Sequence, residues 1–468
     1  MPKTNFQSII DCIINWLRRV KNFDNGSQLA EIIRRGDLET LSDEKAVQLL
    51  HRQFKSEFVR LKRVVYSLEQ GDGDPPKGSL GGNALTPSRF LFQEDFTEIN
   101  RTVVNFLSLK WLLEDNYQAF TAHQPGVVKL SPETFTRFRQ LARDILRTND
   151  DMLGLVVSLI LGDAGKDPDL EDFVHKKDGK RLNHDQVLAR AIELGQFDKP
   201  LRLLSDKKRE EMLLGVEVGA KLNIPQLTQG ENVPGSLVSI LMLQGKPQAF
   251  RMKYLEIMLD VSGAGGHVDA RGAVRMIEPV CQSFLSAYPV LMNVITGKLS
   301  VRDAYNTVLQ NRGQLLADQG FHTLSTNSPS DRAFLRLCAM GRVADKHLAE
   351  LFEKAFIDLP QPTRAELING LNVDGCNGED AVILYYMPAI FAEALRVTRS
   401  APDLKKIQVL QSLMSFMART YHDTKPIDGH PGVILERNVS GAKDYILRDG
   451  FIDDPTILNQ CVPPVATC

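Results

Sequence analysis

Apolar residues recur along most of the chain at intervals of three and four residues, the spacing of one face of an amphipathic helix. The clearest example runs from Ser42 to Leu68 and contains Val47, Leu50, Phe54, Phe58, Leu61 and Val65. Ser42 is a favourable N-cap, and a proline or a capping pattern marks further helix starts at Ser131, Asn183 and Thr363. No run of alternating strands bounded by turn signals is present. The pattern therefore predicts an all-α fold, a large multi-helix bundle.

Glycine and proline are concentrated in residues 71–88, GDGDPPKGSLGGNALTPS, a composition typical of a flexible linker or loop. We therefore predict an N-terminal helical arm over residues 1–70, followed by this linker. A helical catalytic body is expected over residues 89–449 and a C-terminal tail over residues 450–468. No repeat of fixed period is evident, which argues against a helical solenoid.

Charge and cysteine content limit the class of protein. The 468 residues carry a net charge of only −2, which argues against nonspecific coating of nucleic acid but allows one local basic face. The six cysteines are scattered and form no CxxC pair, as expected for reduced thiols in a cytosolic protein. No secretory signal and no transmembrane segment is recognisable. We expect a soluble, cytoplasmic protein without a membrane partner.

The first candidate site follows an apolar helix that begins near Asp150 and breaks at Gly162-Asp163-Ala164-Gly165-Lys166. A phosphate-binding loop would need glycine at position 160 and serine or threonine at position 167, and the chain has Ile160 and Asp167 instead. A second helix then opens at Asn183-His184-Asp185. The alternative without function is that Asp163 caps a loop and His184 merely occupies the first helical turn.

This order resembles the His-Asp (HD) phosphohydrolase superfamily, an all-helical family in which a His-Asp doublet and a later histidine bind a divalent metal. The resemblance implies Asp163 and His184 as metal ligands and Lys166 as a contact to substrate phosphate. The chain departs from the family at the doublet, where Gly162 replaces the histidine, and the upstream His123 lies in a Gln-Pro-Gly loop. The chain therefore lacks one of the family's metal-ligand residues.

The second candidate site is Leu259-Asp260-Val261-Ser262-Gly263-Ala264-Gly265-Gly266-His267-Val268-Asp269-Ala270-Arg271-Gly272, after a helix predicted over residues 252–259. Its glycines would let backbone amides approach a ligand closely. Ser262 is a candidate nucleophile with His267 as its base, provided that the two face each other. The alternative is a connection whose glycines permit tight packing. Because Asp260 and Asp163 both stand at helix ends beside glycines, they are candidates for two walls of one acidic pocket, suited to a guanidinium or a metal.

The N-terminal arm is rich in basic residues, and several of them are candidates for a face that binds RNA phosphates. The alternative is the solvated face of amphipathic helices. The predicted tRNA-binding residues are Arg18, Arg19, Lys55, Lys62 and Arg63.

The chain length, the lack of strands and the two segments GDAGK…NHDQVLARA and LDVSGAGGHVD together resemble the fungal arginine-containing cyclodipeptide synthases of secondary metabolism. The resemblance implies that arginyl-tRNA and a second aminoacyl-tRNA are joined into a cyclic dipeptide, without ATP or another cofactor. The expected substrate-binding residues are Asp163, Asp260, Lys166 and Arg271. The expected catalytic residues are Ser262, His267, Asp269 and His184. Two alternatives stay open, a divalent-metal-dependent HD-type phosphohydrolase or oxygenase and a non-catalytic helical scaffold.

Overall fold

The computed structural model describes residues 28–64, 86–422 and 433–463. Helices dominate these residues, and the predicted all-α class is confirmed. The α-helices are Gln28–Arg35, Asp43–Gln53, Lys55–Arg63, Pro87–Phe92, Thr97–Leu113, Tyr117–Phe120, Pro132–Ile145, Asn149–Leu161, Pro168–Asp178, His184–Glu193, Asp198–Leu201, Asp206–Gly219, Ile224–Thr228, Pro247–Gly263, Glu278–Ile295, Val301–Asp318, Pro329–Met340, Lys346–Ile357, Gln361–Asn372, Met387–Val397, Asp403–His422 and Ala442–Ile446. Short 3-10 helices span Leu38–Thr40, Gly126–Val128, Gly162–Lys166, Pro234–Leu243 and Pro455–Gln460. Among the described helices, none is long and apolar enough to cross a membrane.

The chain divides into two compact units, and this division differs from the predicted arm, linker, body and tail. Of the described residues, the first unit contains 28–64, 86–220 and 251–278, and the second contains 221–250, 279–422 and 433–463. The described part of the predicted arm belongs to the first unit, because the helix Lys55–Arg63 packs on the helix Thr97–Leu113. Most of the predicted linker lies outside the described residues.

Several predicted helix starts are confirmed by their caps. The Ser42 hydroxyl accepts a hydrogen bond from the Lys45 amide, Ser131 caps its helix in the same way, and Asn183 forms a capping box. The predicted start at Thr363 is wrong, because that helix begins at Gln361 directly after Pro360. The long helix predicted from Ser42 is also broken, at Phe54.

The break at Phe54 explains why the apolar period misled the prediction. Phe54 has a non-helical backbone (φ −119°, ψ 39°), yet its side chain is buried. The helices on either side of it bury the same apolar face, so the spacing of hydrophobic residues continues through the break.

The helix Thr97–Leu113 forms the centre of the first unit, and every residue from Glu98 to Leu113 is buried. A helix buried on all sides normally carries apolar residues throughout. This one brings Glu98, Arg101 and Asn105 into the interior, where each needs polar partners. These three side chains therefore mark the candidate functional site of the first unit.

Two short strands in the second unit were not predicted. Ala381–Tyr385 and Ile434–Asn438 pair in parallel, with Ala381 opposite Ile434 and Tyr385 opposite Asn438. A buried run of five apolar residues cannot be distinguished from a helical segment by its periodicity. Because a parallel partner lies far along the chain, no local turn signal announces the pairing.

A buried arginine ties together separate segments of the second unit. Arg336 is 0% exposed, and its guanidinium donates hydrogen bonds to backbone carbonyls of Gly230, Glu231, Asn232 and Leu371. Buried carbonyls without donors would destabilise the fold. The single side chain therefore connects residues 230–232 to the C-terminal end of the helix Gln361–Asn372.

Candidate functional site

The polar side chains of the helix Thr97–Leu113 meet the two predicted Asp-Gly segments inside the first unit. Lys166 Nζ lies 2.7 Å from Asp163 Oδ1 and 3.3 Å from Glu98 Oε2. Arg101 Nη1 lies 3.2 Å from Glu98 Oε1. Asp260 joins the group through the charges of Asp163, Arg101 and Lys166, all of which act on its pKa. We call these five residues the central charge cluster.

The central charge cluster is buried on one side and reaches solvent on the other. Glu98 is only 3% exposed, and Arg101 and Asp163 are also buried. Lys166 and Asp260 are half-buried. The Asn105 amide fixes Asp260 by donating a hydrogen bond from Nδ2 to Oδ1 at 3.1 Å. A ligand would therefore reach the cluster from the side of Asp260 and Lys166.

By this definition the central charge cluster contains three carboxylates, on Glu98, Asp163 and Asp260, and two cations, on Lys166 and Arg101. Burial, and then the charge of Asp163, raises the pKa of Glu98 to about 7. Burial and the same charge also raise the pKa of Asp260. Burial alone would raise the pKa of Asp163, but the charges of Lys166 and Arg101 outweigh it and hold that pKa below its usual value.

A proton is therefore shared unequally within the cluster. Near neutral pH, Asp163 is ionised, and Glu98 exists in both protonation states, with its protonated form donating a hydrogen bond to Asp163. A carboxyl group with a pKa close to 7 is suited to proton transfer. A cationic ligand would be suited to the remaining negative charge.

Glycines determine how closely the second segment approaches the central helix. A Cβ atom at Gly263 would overlap Asn105 Oδ1 and lie 2.5 Å from the Arg101 carbonyl oxygen. At Gly266, a Cβ would lie 2.7 Å from the Asn100 carbonyl oxygen. These glycines therefore permit tight packing, as in the alternative interpretation of the sequence. The expectation that they bring backbone amides to a ligand is not supported at these two positions.

The helix Pro247–Gly263 extends further than predicted, so Asp260 and Ser262 lie on the helix and not in a loop. Ser262 is fully buried, and its hydroxyl donates to the Met258 carbonyl oxygen at 2.8 Å. Within the described residues it makes no hydrogen bond to His267, which is half-buried. A nucleophile has to reach its substrate, so this position does not suit the role predicted for Ser262.

Asp269 and Arg271 form an ion pair with each other. Arg271 donates from Nε to Asp269 Oδ1 at 2.8 Å and from Nη2 to Oδ2 at 2.7 Å. His123 Nδ1 lies 3.5 Å from Asp269 Oδ2. Burial would raise the pKa of Asp269, but the hydrogen bonds and charge of Arg271 lower it. Both predicted residues are thus engaged with each other and do not belong to the central charge cluster.

The structure places His184 beside the first Asp-Gly segment, as the sequence order suggested. A Cβ at Gly165 would overlap the His184 carbonyl oxygen, so the start of the helix His184–Glu193 packs directly on the turn. The His184 side chain is 46% exposed, with Nε2 3.6 Å from Asp185 Oδ2. It is therefore accessible to solvent.

Gly162, which stands where the HD superfamily has a histidine, faces a carboxylate. A Cβ at Gly162 would lie 3.9 Å from Glu256 Oε1, and Glu256 pairs with Lys253 Nζ at 2.7 Å. Among residues 28–64, 86–422 and 433–463, no group of three or more His, Cys, Asp or Glu side chains is placed to hold a metal ion.

The basic residues of the predicted tRNA face are partly engaged within the first unit. Arg63 donates from Nε to Asp167 Oδ1 at 2.9 Å, and Asp167 is fully buried. Lys62 Nζ lies 3.5 Å from the centre of the Phe92 ring. Lys55 is exposed. The remaining two predicted residues, Arg18 and Arg19, lie outside the described residues.

Sequence reasoning missed Glu98, Arg101 and Asn105. Their spacing places them on one face of a helix whose other positions are largely apolar. Charged residues within an otherwise buried helical pattern were the available signal, because a buried charge requires a partner. The partners themselves come from segments far along the chain.

A family model, described as a family of unknown function (DUF6829), matches residues 47–458. The chain belongs to this family. The match spans every member of the central charge cluster. No curated protein and no solved structure matches the chain.

Proposed function

We propose that the chain is an aminoacyl-tRNA-dependent synthase of arginine-containing cyclic dipeptides. In this proposal, the central charge cluster binds the arginine guanidinium. The supporting observation is the excess of one carboxylate among Glu98, Asp163 and Asp260 over Lys166 and Arg101. A guanidinium from the substrate would balance this charge and hydrogen-bond to a carboxylate through two nitrogens.

The proposed reaction joins two amino acids that are already activated as tRNA esters. The α-amino group of one attacks the ester carbonyl of the other, the amide bond forms, and the first tRNA leaves as its terminal hydroxyl. The remaining amino group then attacks the second ester, which closes the ring and releases the second tRNA. Each attacking amine loses a proton, and each leaving oxygen gains one.

Glu98 determines the pH dependence of the proposed guanidinium binding, because its pKa is raised to about 7 in the free chain. A bound guanidinium would favour the ionised form of Glu98 by direct attraction. Binding of the arginyl group should therefore release protons. We expect the KM for arginyl-tRNA to fall as the pH rises through 7, since the ionised cluster binds the cation more tightly.

The test combines the purified full chain with arginyl-tRNA and a mixture of the other aminoacyl-tRNAs, with products identified by mass spectrometry. We expect cyclic dipeptides that contain arginine. Asp260→Asn should lower the rate, whereas the control Asp206→Asn should not, because Asp206 is 99% exposed on the same unit. Absence of an arginine-containing product with every partner tRNA would rule the proposal out.

A second candidate function is the metal-dependent HD-type phosphohydrolase or oxygenase. It is favoured by the packing of the Gly162–Lys166 turn against the start of the helix at His184. The same preparation should be assayed with phosphate esters and with divalent metals or a chelator. Metal-dependent hydrolysis that is lost in His184→Ala would support this function over the synthase, whereas a non-catalytic scaffold predicts that neither assay yields a product.

A further inference from the structure

The second unit contains a cavity of about 110 Å³ that is separate from the central charge cluster. Its walls include polar side chains of Ser283, Ser286 and Arg312 and apolar side chains of Val308 and Leu315. The mixture of one cationic group, hydroxyl groups and hydrocarbon defines the chemistry that the cavity can bind.

Arg312 lacks a carboxylate partner in the described part of the chain. Its Nη2 donates a long hydrogen bond of 3.4 Å to the Thr228 carbonyl oxygen, and its buried Nε has no hydrogen-bond partner among the described residues. The electrostatic neighbours of Arg312 are Arg342, which repels it, and the buried thiol of Cys338. Burial raises the pKa of that thiol, so it is neutral and does not compensate the guanidinium.

An anion in the cavity would supply the missing partner. Burial lowers the pKa of Arg312 to about 10, which still leaves the side chain charged near neutral pH. A buried charge without a partner is costly, and a carboxylate bound through two nitrogens compensates a guanidinium well. The Ser286 oxygen accepts a hydrogen bond from Asn311 Nδ2 at 3.3 Å, which leaves the hydroxyl hydrogen available to a ligand.

We propose that this cavity binds a short aliphatic monocarboxylate, with Arg312 as the residue that binds the carboxylate group. The hydrocarbon part of the ligand would contact Val308 and Leu315. The volume of about 110 Å³ is smaller than the ~150 Å³ of a cavity that holds benzene, so the part of the ligand inside the cavity has only a few carbon atoms. A phosphate dianion fits less well, since it would gain nothing from the apolar walls of Val308 and Leu315.

This proposal goes beyond the synthase function and does not rest on it. The cavity lies wholly in the second unit, and the central charge cluster lies in the first. Carboxylate binding and cyclic dipeptide synthesis are therefore tested by substitutions at different residues. Either proposal can fail while the other holds.

Calorimetric titration of the full chain with acetate, propionate, butyrate and inorganic phosphate tests the proposal. We expect propionate or butyrate to bind, and Arg312→Gln to weaken that binding by at least about tenfold, the usual effect of losing a hydrogen bond to a charged group. Ser286→Leu, which fills the cavity, should weaken it as well. Arg399→Gln is the matched control, because Arg399 is an exposed arginine of the same unit.

A thermal unfolding scan separates loss of binding from loss of folding. Arg312→Gln removes a half-buried charge that has no acidic partner among the described residues, so we expect its unfolding temperature to equal or exceed that of the unmodified protein. The proposal is overturned if no carboxylate binds, if Arg312→Gln binds as tightly as the unmodified chain, or if phosphate binds more tightly than every carboxylate.

Discussion

The stability of the first unit should depend on pH through one side chain, Glu98. Burial and the neighbouring charge of Asp163 raise the pKa of Glu98 from 4.5 to about 7. Glutamine has the shape of the neutral acid and cannot ionise. Glu98→Gln therefore removes the titration while keeping the volume of the side chain.

The sign of the effect follows from the raised pKa. The folded chain holds the Glu98 proton more tightly than the unfolded chain does, so this contribution to stability is complete below about pH 4.5 and is lost as the pH rises through 7. A difference of about 2.5 pKa units corresponds to about 3 kcal/mol in the free energy of unfolding. As the pH rises from 4.5 to 8, the free energy of unfolding of the unmodified chain should therefore fall by about 3 kcal/mol relative to that of Glu98→Gln.

Urea unfolding at a series of pH values measures this difference, with tryptophan fluorescence as the signal. Trp111 lies on the same buried helix as Glu98, and a Trp16→Phe background leaves it as the only tryptophan. Glu133→Gln is the control, because Glu133 is an exposed glutamate of the first unit. The reasoning would be refuted if the difference in free energy of unfolding between Glu98→Gln and the unmodified chain stayed constant from pH 4.5 to pH 8.

Three further substitutions test the packing and the buried charges, each by denaturant unfolding. Gly263→Ala should lower the free energy of unfolding by about 1–3 kcal/mol, because its Cβ would overlap Asn105. Gly126→Ala, with open space around its Cβ, should change it little, and equal effects would contradict the packing role. Asp167→Asn should lose about 1–3 kcal/mol, since the buried carboxylate accepts hydrogen bonds from two arginines. Arg336→Met should lower the free energy of unfolding of the second unit by about 3 kcal/mol, because it removes four hydrogen bonds and leaves the Gly230 and Glu231 carbonyls without this donor; an unchanged midpoint would show that they find other partners.

Local signals along the chain were sufficient for the helix caps. Ser42, Ser131 and Asn183 each accept a hydrogen bond from an amide three residues later, so a few neighbouring residues define the helix start. Asn183 is the cap of the helix beginning at His184, whereas the predicted Asp163 turn is a short 3-10 helix without a side-chain cap. The functional roles of these residues stay predictions, because a cap is formed whether or not a ligand binds nearby.

Proximity between distant segments was only partly foreseeable. The similarity of the two Asp-Gly segments suggested that Asp163 and Asp260 share a pocket, and their charges do act on each other. The predicted pair of Ser262 and His267 is not formed, because the helix continues to Gly263 and turns the serine toward the Met258 carbonyl. Helical continuation depends on packing against other helices, which local propensity does not determine.

The amino-acid pattern thus determined the helical class, three of the four predicted helix starts and the segments that carry acidic residues beside glycines, because each depends on neighbours within a few positions. Tertiary structure alone brought Glu98 beside Asp163 and Lys166, and with them the raised pKa on which the proposed function depends. Burial and the arrangement of charges from different helices set that pKa, and neither quantity exists until the chain is folded. The raised pKa of Glu98 is therefore a property of the fold and not of any one sequence motif.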